Sequence, residues 1–281
     1  MGRILIIGGS GFLGQALYRE LQPYFDVYAT YCNQVGPYKD NQVFRQFNAE
    51  KHSVLKVLEE LKPTVVISAF SSSAEALVRT HAEMVDYVGA TPDRRLILLS
   101  SYEVFDARWK YPSYEQDSPM SESYSGKLKL TIEKQVRELL PDQWAILRLP
   151  WVLGVNSPTI YNLRQAGRNQ TSFEIFPKMV ISVTTDDKLA QQVHYVINQD
   201  LHGVFHLASS DLVHHEDLFT EISEKINPVQ PVFKRVFQSN DDRYYAILPA
   251  EDSLPDSYSI TVADVIGHCT LQEEISSLKT G

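Results

Sequence analysis

Arg3-Ile4-Leu5-Ile6-Ile7-Gly8-Gly9-Ser10-Gly11-Phe12-Leu13-Gly14 is the stretch that decides the fold. Arg3 to Ile7 is a nearly unbroken apolar run, the pattern of a strand buried on both faces. Phe12, Leu13, Ala16, Leu17 and Leu21 then recur at helical spacing until Pro23 stops the helix. A glycine turn with Gly8, Gly11 and Gly14 joins the two. At such a junction glycines allow a tight turn, let a pyrophosphate approach the backbone, and let the helix pack closely on the strand. The helix N-terminus adds N–H groups and the positive end of its dipole. Gly8, Ser10, Gly11, Phe12, Leu13 and Gly14 are therefore candidate cofactor-binding residues; the competing reading is a tight turn with no ligand.

Working outward, Val27–Tyr31, Thr64–Phe70, Leu96–Leu99 and Trp144–Leu149 read as further strands. His52 to Leu61 is amphipathic and ends at Pro63. Repeated strand–helix alternation predicts an α/β protein, a Rossmann-like doubly wound parallel sheet. Residues 155–180 are polar and punctuated by Gly, Asn and Pro, as in a long loop or small inserted subdomain. Gly203 to Ala208 reads as a strand, His215 to Ile226 as a helix, and Asn227 to Tyr258 shows little periodicity. The expected layout is a dinucleotide-binding domain over 1–150 and a smaller substrate-binding region over 151–281, partly interleaved with the first.

The chain has 281 residues, 43% of them hydrophobic and 22% charged, an ordinary globular composition. With 26 Lys and Arg against 35 Asp and Glu, the net charge is −9. Such a surface repels polyanions, so neither nucleic acid nor an anionic membrane is an expected partner. Cys32 and Cys269 are too few and too separated for a disulfide framework, which suits a reducing compartment. The apolar runs are strand-sized, and the first one passes straight into glycines instead of forming a signal peptide. A cytoplasmic protein is expected.

An NAD-selective fold usually ends its second strand with an acid that binds the adenosine ribose hydroxyls. Here Thr30-Tyr31-Cys32-Asn33 carries none, and Lys39 is the nearby base. That favours NADP over NAD.

Residues 100–133 carry a sharper signal. Ser100-Ser101-Tyr102-Glu103-Val104-Phe105-Asp106, Glu115-Gln116-Asp117-Ser118-Pro119 and Ser125-Gly126-Lys127-Leu128-Lys129 through Glu133 follow one another at set separations. This resembles the extended short-chain dehydrogenase/reductases, and within them the dTDP-4-dehydrorhamnose reductase family. That family reads S-T-D-Y-V-F-D-G, E-x-D-x-P and Y-G-x-[ST]-K-L-x-x-E. Arg148 to Gly154, Asp186 to Ala190 and Gly203 to Leu207 resemble later blocks, so the likeness covers roughly residues 2–226.

The resemblance implies NAD(P)-dependent reduction of a nucleotide-linked 4-keto sugar. In that chemistry a Tyr hydroxyl protonates the carbonyl oxygen, Ser or Thr hydrogen-bonds it, and Lys holds the nicotinamide ribose and lowers the Tyr pKa. Ser101 and Lys129 take the Ser/Thr and Lys positions; the Tyr position is Ser125. A serine hydroxyl is a far weaker acid than a phenol of pKa about 10. Tyr124, Tyr102 and Tyr114 are the nearby phenols weighed as stand-ins. The resemblance also implies cofactor contacts at Asn48, Ala49, Ala69 and Lys129, and substrate contacts at Ser101, Val104, Phe105 and Trp151. Phe70 would stand beside the pyrophosphate and crowd it, and Leu248-Pro249 is the nearest match to the family's C-terminal Arg-Pro motif.

Several residues have bland readings. His202 and His206 flank Gly203 on a strand, where their spacing does not converge as on a helix, and no metal site is read. His214-His215 reads as a helix start near the surface. Trp151 is either a core aromatic or a cleft residue. Arg164, Arg168 and Lys178 are either diphosphate contacts or a solvated face. Glu115 and Asp117 shape the loop before a helix. Two functions stand side by side: a reductase of nucleotide-linked sugars, or a catalytically impaired regulatory or scaffold protein that binds the same ligands. The family includes a regulatory subunit of methionine adenosyltransferase, which gives the second reading a precedent. Ser101 and Lys129 favour the first; Ser125 favours the second. The expected partners are a nucleotide-sugar and, in a homodimer, a second copy of the chain.

Overall fold

Ile4, Leu5, Ile6 and Ile7 are all at most 1% exposed, so the first strand is buried on both faces, as its apolar run requires. A computed structural model describes residues 2–33, 38, 41–250 and 253–277. Lys39, the base considered near the adenosine ribose, lies outside the described residues. The chain runs through β1 (Arg3–Ile7), α1 (Phe12–Leu21), β2 (Asp26–Tyr31), β3 (Phe44–Gln46), α2 (Leu55–Leu61) and β4 (Val65–Ser68). It continues through α3 (Ala74–Gly89), β5 (Arg95–Ser101), a short 3-10 turn at Tyr102–Phe105, α4 (Tyr124–Val136) and β6 (Trp144–Leu149). Next come β7 (Trp151–Leu153), α5 (Pro158–Asn169), β8 (Ser172–Ile175), β9 (Met179–Ile181), β10 (Val183–Thr185) and α6 (Asp186–Asn198). The last are β11 (Gly203–His206), β12 (Val213–His214), α7 (His215–Ile226), β13 (Val232–Arg235), β14 (Arg243–Tyr245) and α8 (Val262–Ser277).

Two compact units result. One comprises the chain up to Val104 with Ser121–Arg148 and Ala190–Phe205; the other comprises Phe105–Met120, Leu149–Leu189 and the chain from His206 onward. Residues 105–120 and 190–205 thus fall in the opposite unit from the one that a division at residue 150 gives them. The second exchange has a plain cause: β11 hydrogen-bonds beside β6 and completes the first unit's sheet.

That sheet has seven strands in the order β11-β6-β5-β4-β1-β2-β3 and is parallel and Rossmann-like. β1 lies between β2 and β4, with Ile4 opposite both Val27 and Val65. The chain moves outward one way through β2 and β3, then the other way through β4, β5 and β6. The reversal between β1 and β4 opens a crevice at their carboxyl ends, where such sheets bind ligands. In the second unit β7 pairs with β10, β8 with β13, and β9 with β12 and β14. Its core gathers Leu153, Ile160, Phe219, Ile222 and the buried Cys269, whose thiol burial pushes up to about 12.

Several expectations need correction. The helix expected from His52 begins at Leu55, because the Asn48 carbonyl accepts from the Lys51 and His52 N–H groups in a turn. The strand expected over Thr64–Phe70 is confined to Val65–Ser68, and the one expected to reach Ala208 ends at His206. Residues 155–180 hold a helix, α5, instead of a long loop. Ser157 caps it by accepting from the Ile160 N–H, Pro158 starts it, and Ile160, Leu163 and Ala166 bury one face. His215 does start α7, yet it is buried, packed among the rings of Trp151, Phe176 and Phe219.

Candidate functional site

Each glycine of the turn meets a different constraint. Gly8 has φ +92°, a left-handed backbone that side chains disfavour, and its N–H donates to Thr30 Oγ1 at 2.8 Å. A Cβ on Gly14 would lie 2.1 Å from the Gly8 carbonyl oxygen, so this glycine lets α1 pack against the turn. A Cβ on Gly11 would meet only that same oxygen, at 3.3 Å, and Gly11 is exposed. Gly11 is also the N-cap of α1 and brings no capping side chain. The first turn of α1 therefore keeps N–H groups for an anionic ligand. Turn, packing and open approach are what a pyrophosphate cradle requires, and the residues fit one. Ser10 is half-buried, as are Phe12 and Leu13 on the first turn.

Beside the turn lies Phe70, whose Cβ is 2.7 Å from where a Gly8 Cβ would stand. It lines a cleft of about 530 Å³ in the first unit. Its lining includes Ser68, Phe70, His81, Tyr124, Ser125 and Lys129. Phe70 stacks on His81 with ring centroids 5.5 Å apart, so its ring forms cleft wall next to the cradle. Ala69 carries its N–H to the Ile7 carbonyl, holding the floor of the turn. Asn48 Oδ1 accepts from the Glu50 N–H at 2.9 Å, which fixes the orientation of the oxygen considered for an adenine amine and leaves it one further lone pair. Ala49 is buried, and its carbonyl accepts from Arg79.

Behind Ser125 lies a feature that sequence reasoning missed. Glu103 Oε2 accepts from Ser101 Oγ at 3.0 Å and from Ser125 Oγ at 2.9 Å. Gly126 makes this possible: a Cβ there would lie 2.2 Å from the Glu103 carbonyl oxygen, so only glycine lets α4 approach the turn that carries Glu103. Ser123 caps α4 by accepting from the Gly126 N–H. Lys129 sits one turn further along the helix, half-buried. Burial pushes its ammonium pKa down, while the Glu103 and Glu133 carboxylates act in the opposite sense. The signal was in the sequence: Glu103 stands where the quoted S-T-D-Y-V-F-D-G pattern has its tyrosine, two residues beyond Ser101.

His81 was also missed. Its Nδ1 lies 2.7 Å from the Leu77 carbonyl oxygen, so that nitrogen bears the proton, and Nε2 accepts from Ser68 Oγ at 2.8 Å. Burial pushes its pKa down to about 4. The unfolded chain protonates this ring below about pH 6.5, whereas the fold keeps it neutral until about 4. Its contribution to stability is whole above the unfolded value and is lost as pH falls from there through the folded one, about 3 kcal/mol in all. Urea unfolding at about pH 7 and about pH 4.5 should show the loss, and His81→Gln should lessen it, the remainder coming from His215, which burial also pushes down to about 4. An equal pH dependence in the variant would remove His81 from the account.

The remaining candidates are scattered. Tyr124 opens α4 at 76% exposure, one residue and about 100° of helix away from Ser125. Tyr102 is half-buried in the 3-10 turn, and Tyr114 belongs to the second unit. Val104 and Phe105 are at most 3% exposed and serve packing, Phe105 edge-on to His206. Trp151 packs edge-on against His215 in the second unit's core. Arg164 and Arg168 lie on α5, Arg164 donating to the Val155 carbonyl, and Lys178 pairs with Asp242 at 3.3 Å. His206 Nδ1 lies 3.0 Å from the Leu248 carbonyl, and Glu115 accepts from the His206 and Ala250 N–H groups. Among the described residues no group of His, Cys, Asp or Glu is placed to hold a metal, and no helix is long and apolar enough to cross a membrane.

Sheet order and glycine turn give the Rossmann-like fold of the extended short-chain dehydrogenase/reductases. The chain belongs to the RmlD substrate binding domain family, whose model matches residues 2–245. It is 23% identical over 248 residues to methionine adenosyltransferase 2 subunit beta of Danio rerio, covering 80% of this chain and 74% of that protein. The Bos taurus counterpart is 30% identical over 164 residues, 54% of this chain and 47% of that protein, about half its length. The structure matches that of dTDP-4-dehydrorhamnose reductase from Bacillus anthracis in complex with NADP with a TM-score of 0.77, at 16% identity over 96% of this chain and 99% of that one.

Proposed function

We propose that the chain holds a nicotinamide dinucleotide, NADP in preference to NAD, against the glycine turn and acts as an oxidoreductase at the 4-position of a nucleotide-linked sugar. One observation carries this reading: a turn open at Gly11 adjoins a cleft into which Ser125 and Lys129 project. Bound there, the nicotinamide ring supplies or takes up a hydride. The first-turn N–H groups of α1 bind the pyrophosphate. The Lys129 ammonium holds ribose hydroxyls, and the Ser101 and Ser125 hydroxyls orient the sugar oxygen. The NADP complex of the structurally similar reductase supports the cofactor class. Fluorescence titration with NADPH and NADH, followed by addition of dTDP-4-dehydrorhamnose, tests both halves. Absence of binding by either dinucleotide removes the reading.

A second reading, a regulatory protein that binds these ligands with impaired turnover, has a specific support. Ser125 stands at the phenol position and donates to a carboxylate, so this wall offers a keto oxygen no strong acid. The resemblance to methionine adenosyltransferase 2 subunit beta points the same way. Reduction of dTDP-4-dehydrorhamnose by the wild type is therefore expected to be slow. Ser125→Tyr should place a phenol near Lys129 and raise single-turnover reduction toward the roughly hundredfold low end of general-acid catalysis. Brisk wild-type reduction, lost in Tyr124→Phe and unimproved in Ser125→Tyr, would assign the proton donor to Tyr124 instead.

A further inference from the structure

Behind the cleft-lining Ser125 stands a base, Glu103, where a reductase needs an acid. We infer that Glu103, working through Ser125, is the proton acceptor of the site, so that the substrate is the sugar alcohol and not the ketone. The inference rests on the proposed dinucleotide reading and specifies the direction of its chemistry.

Geometry carries the argument. Both serine hydroxyls point their protons at one oxygen, Glu103 Oε2, at 3.0 and 2.9 Å. A hydroxyl that donates to a carboxylate leaves its own oxygen lone pairs turned outward as acceptors, and Ser125 lines the cleft. The group such an oxygen recognises is an O–H, not a C=O. Gly126 fixes this arrangement by permitting the close approach of α4 to the Glu103 turn. The charged neighbours agree with it. The Glu103 and Glu133 carboxylates both act on Lys129, while burial, with the Lys129 charge beside it, keeps His81 neutral.

The step balances as follows. The substrate hydroxyl gives its proton to Ser125 Oγ as the Ser125 proton passes to Glu103 Oε2. The carbon–hydrogen bond breaks, its hydrogen and electron pair leaving as hydride to an oxidised nicotinamide, and the carbon–oxygen double bond forms. Glu103 then releases the proton to water.

Glu103→Gln keeps the size and both hydrogen bonds while removing the acceptor. With the 4-hydroxy nucleotide-sugar dTDP-rhamnose and NADP in excess, single-turnover oxidation should fall about 10²- to 10⁴-fold in the variant. A readout independent of turnover accompanies this. A carboxylate held directly behind the cleft-lining Ser125 favours the cationic oxidised ring over the neutral reduced one, so Glu103→Gln should shift the NADP-to-NADPH affinity ratio about three- to tenfold toward NADPH. Ser125→Ala, which breaks the relay and leaves the charge, should lose oxidation and keep the wild-type affinity ratio. Dinucleotide binding by the wild type with an unchanged oxidation rate and affinity ratio in Glu103→Gln would overturn the inference alone. No dinucleotide binding by the wild type would instead overturn the reading on which it rests.

Discussion

Arg148→Met should lower the unfolding free energy by about 3–5 kcal/mol, the usual result of removing one partner of a buried ion pair. Arg148 at the end of β6 donates from Nε to Glu133 Oε1 at 3.0 Å and from Nη2 to Oε2 at 2.8 Å. The two side chains are 1% and 3% exposed. Ser100 on β5 also donates to Oε1, at 2.7 Å. Arg137, the other cation nearby, is 43% exposed and 3.9 Å from the carboxylate, too distant to replace a bidentate pair. Glu133 is on α4, so this cluster ties the helix bearing Ser125 and Lys129 to two strands of the sheet. The pair is a device for position more than for net stability, because apolar residues of like volume often do as well. Replacing both residues, Glu133→Leu with Arg148→Met, should therefore recover most of the loss. Chemical denaturation measures each variant. A single variant within about 0.5 kcal/mol of wild type would show that the pair does not hold α4.

The glycine turn yields the second large effect, and its two halves separate. Gly14→Ala puts a carbon 2.1 Å from the Gly8 carbonyl oxygen, backbone against backbone, so α1 cannot seat and the fold itself suffers. Gly11→Val sets its Cβ 3.3 Å from the same oxygen, a contact relieved by a shift of a few tenths of an ångström, and should cost far less stability than Gly14→Ala. Its side chain instead fills the approach to the α1 N-terminus. Losing two charge-assisted hydrogen bonds to phosphate, at about 1.5 kcal/mol each, weakens dinucleotide binding about a hundredfold. Thermal melts and binding titrations on both variants check the contrast. A Gly11→Val protein that binds as the wild type does would place the ligand away from this turn.

The fold was legible wherever one local rule decided an element. β1, α1 and β6 begin and end where the apolar run, the glycines and Pro23 put them, since both faces of a central strand need the same residue type. α5 was hidden because Gly, Asn and Pro within residues 155–180 read as loop punctuation. In the structure the same Pro158 starts a capped helix. His215 looked superficial next to His214 and acidic residues, but its burial comes from Trp151, Phe176 and Phe219, all far away in sequence. At the site, Ser101, Ser125 and Lys129 were legible as a motif. The role of Glu103 was not, because it depends on the close approach that Gly126 permits across the gap between β5 and α4. His81 left no mark either: a histidine on a largely apolar helix face shows its partner only when β4 brings Ser68 to it.

The central claim is that this chain binds a nicotinamide dinucleotide at the turn between β1 and α1. Its most direct test is fluorescence titration of the wild type and of Gly11→Val with NADPH and NADH, run side by side on protein shown to be folded. Saturable wild-type binding, tighter for NADPH and weakened about a hundredfold in Gly11→Val, is the predicted result. Wild-type protein that binds neither dinucleotide, or binds one with an affinity indifferent to Gly11→Val, would contradict it.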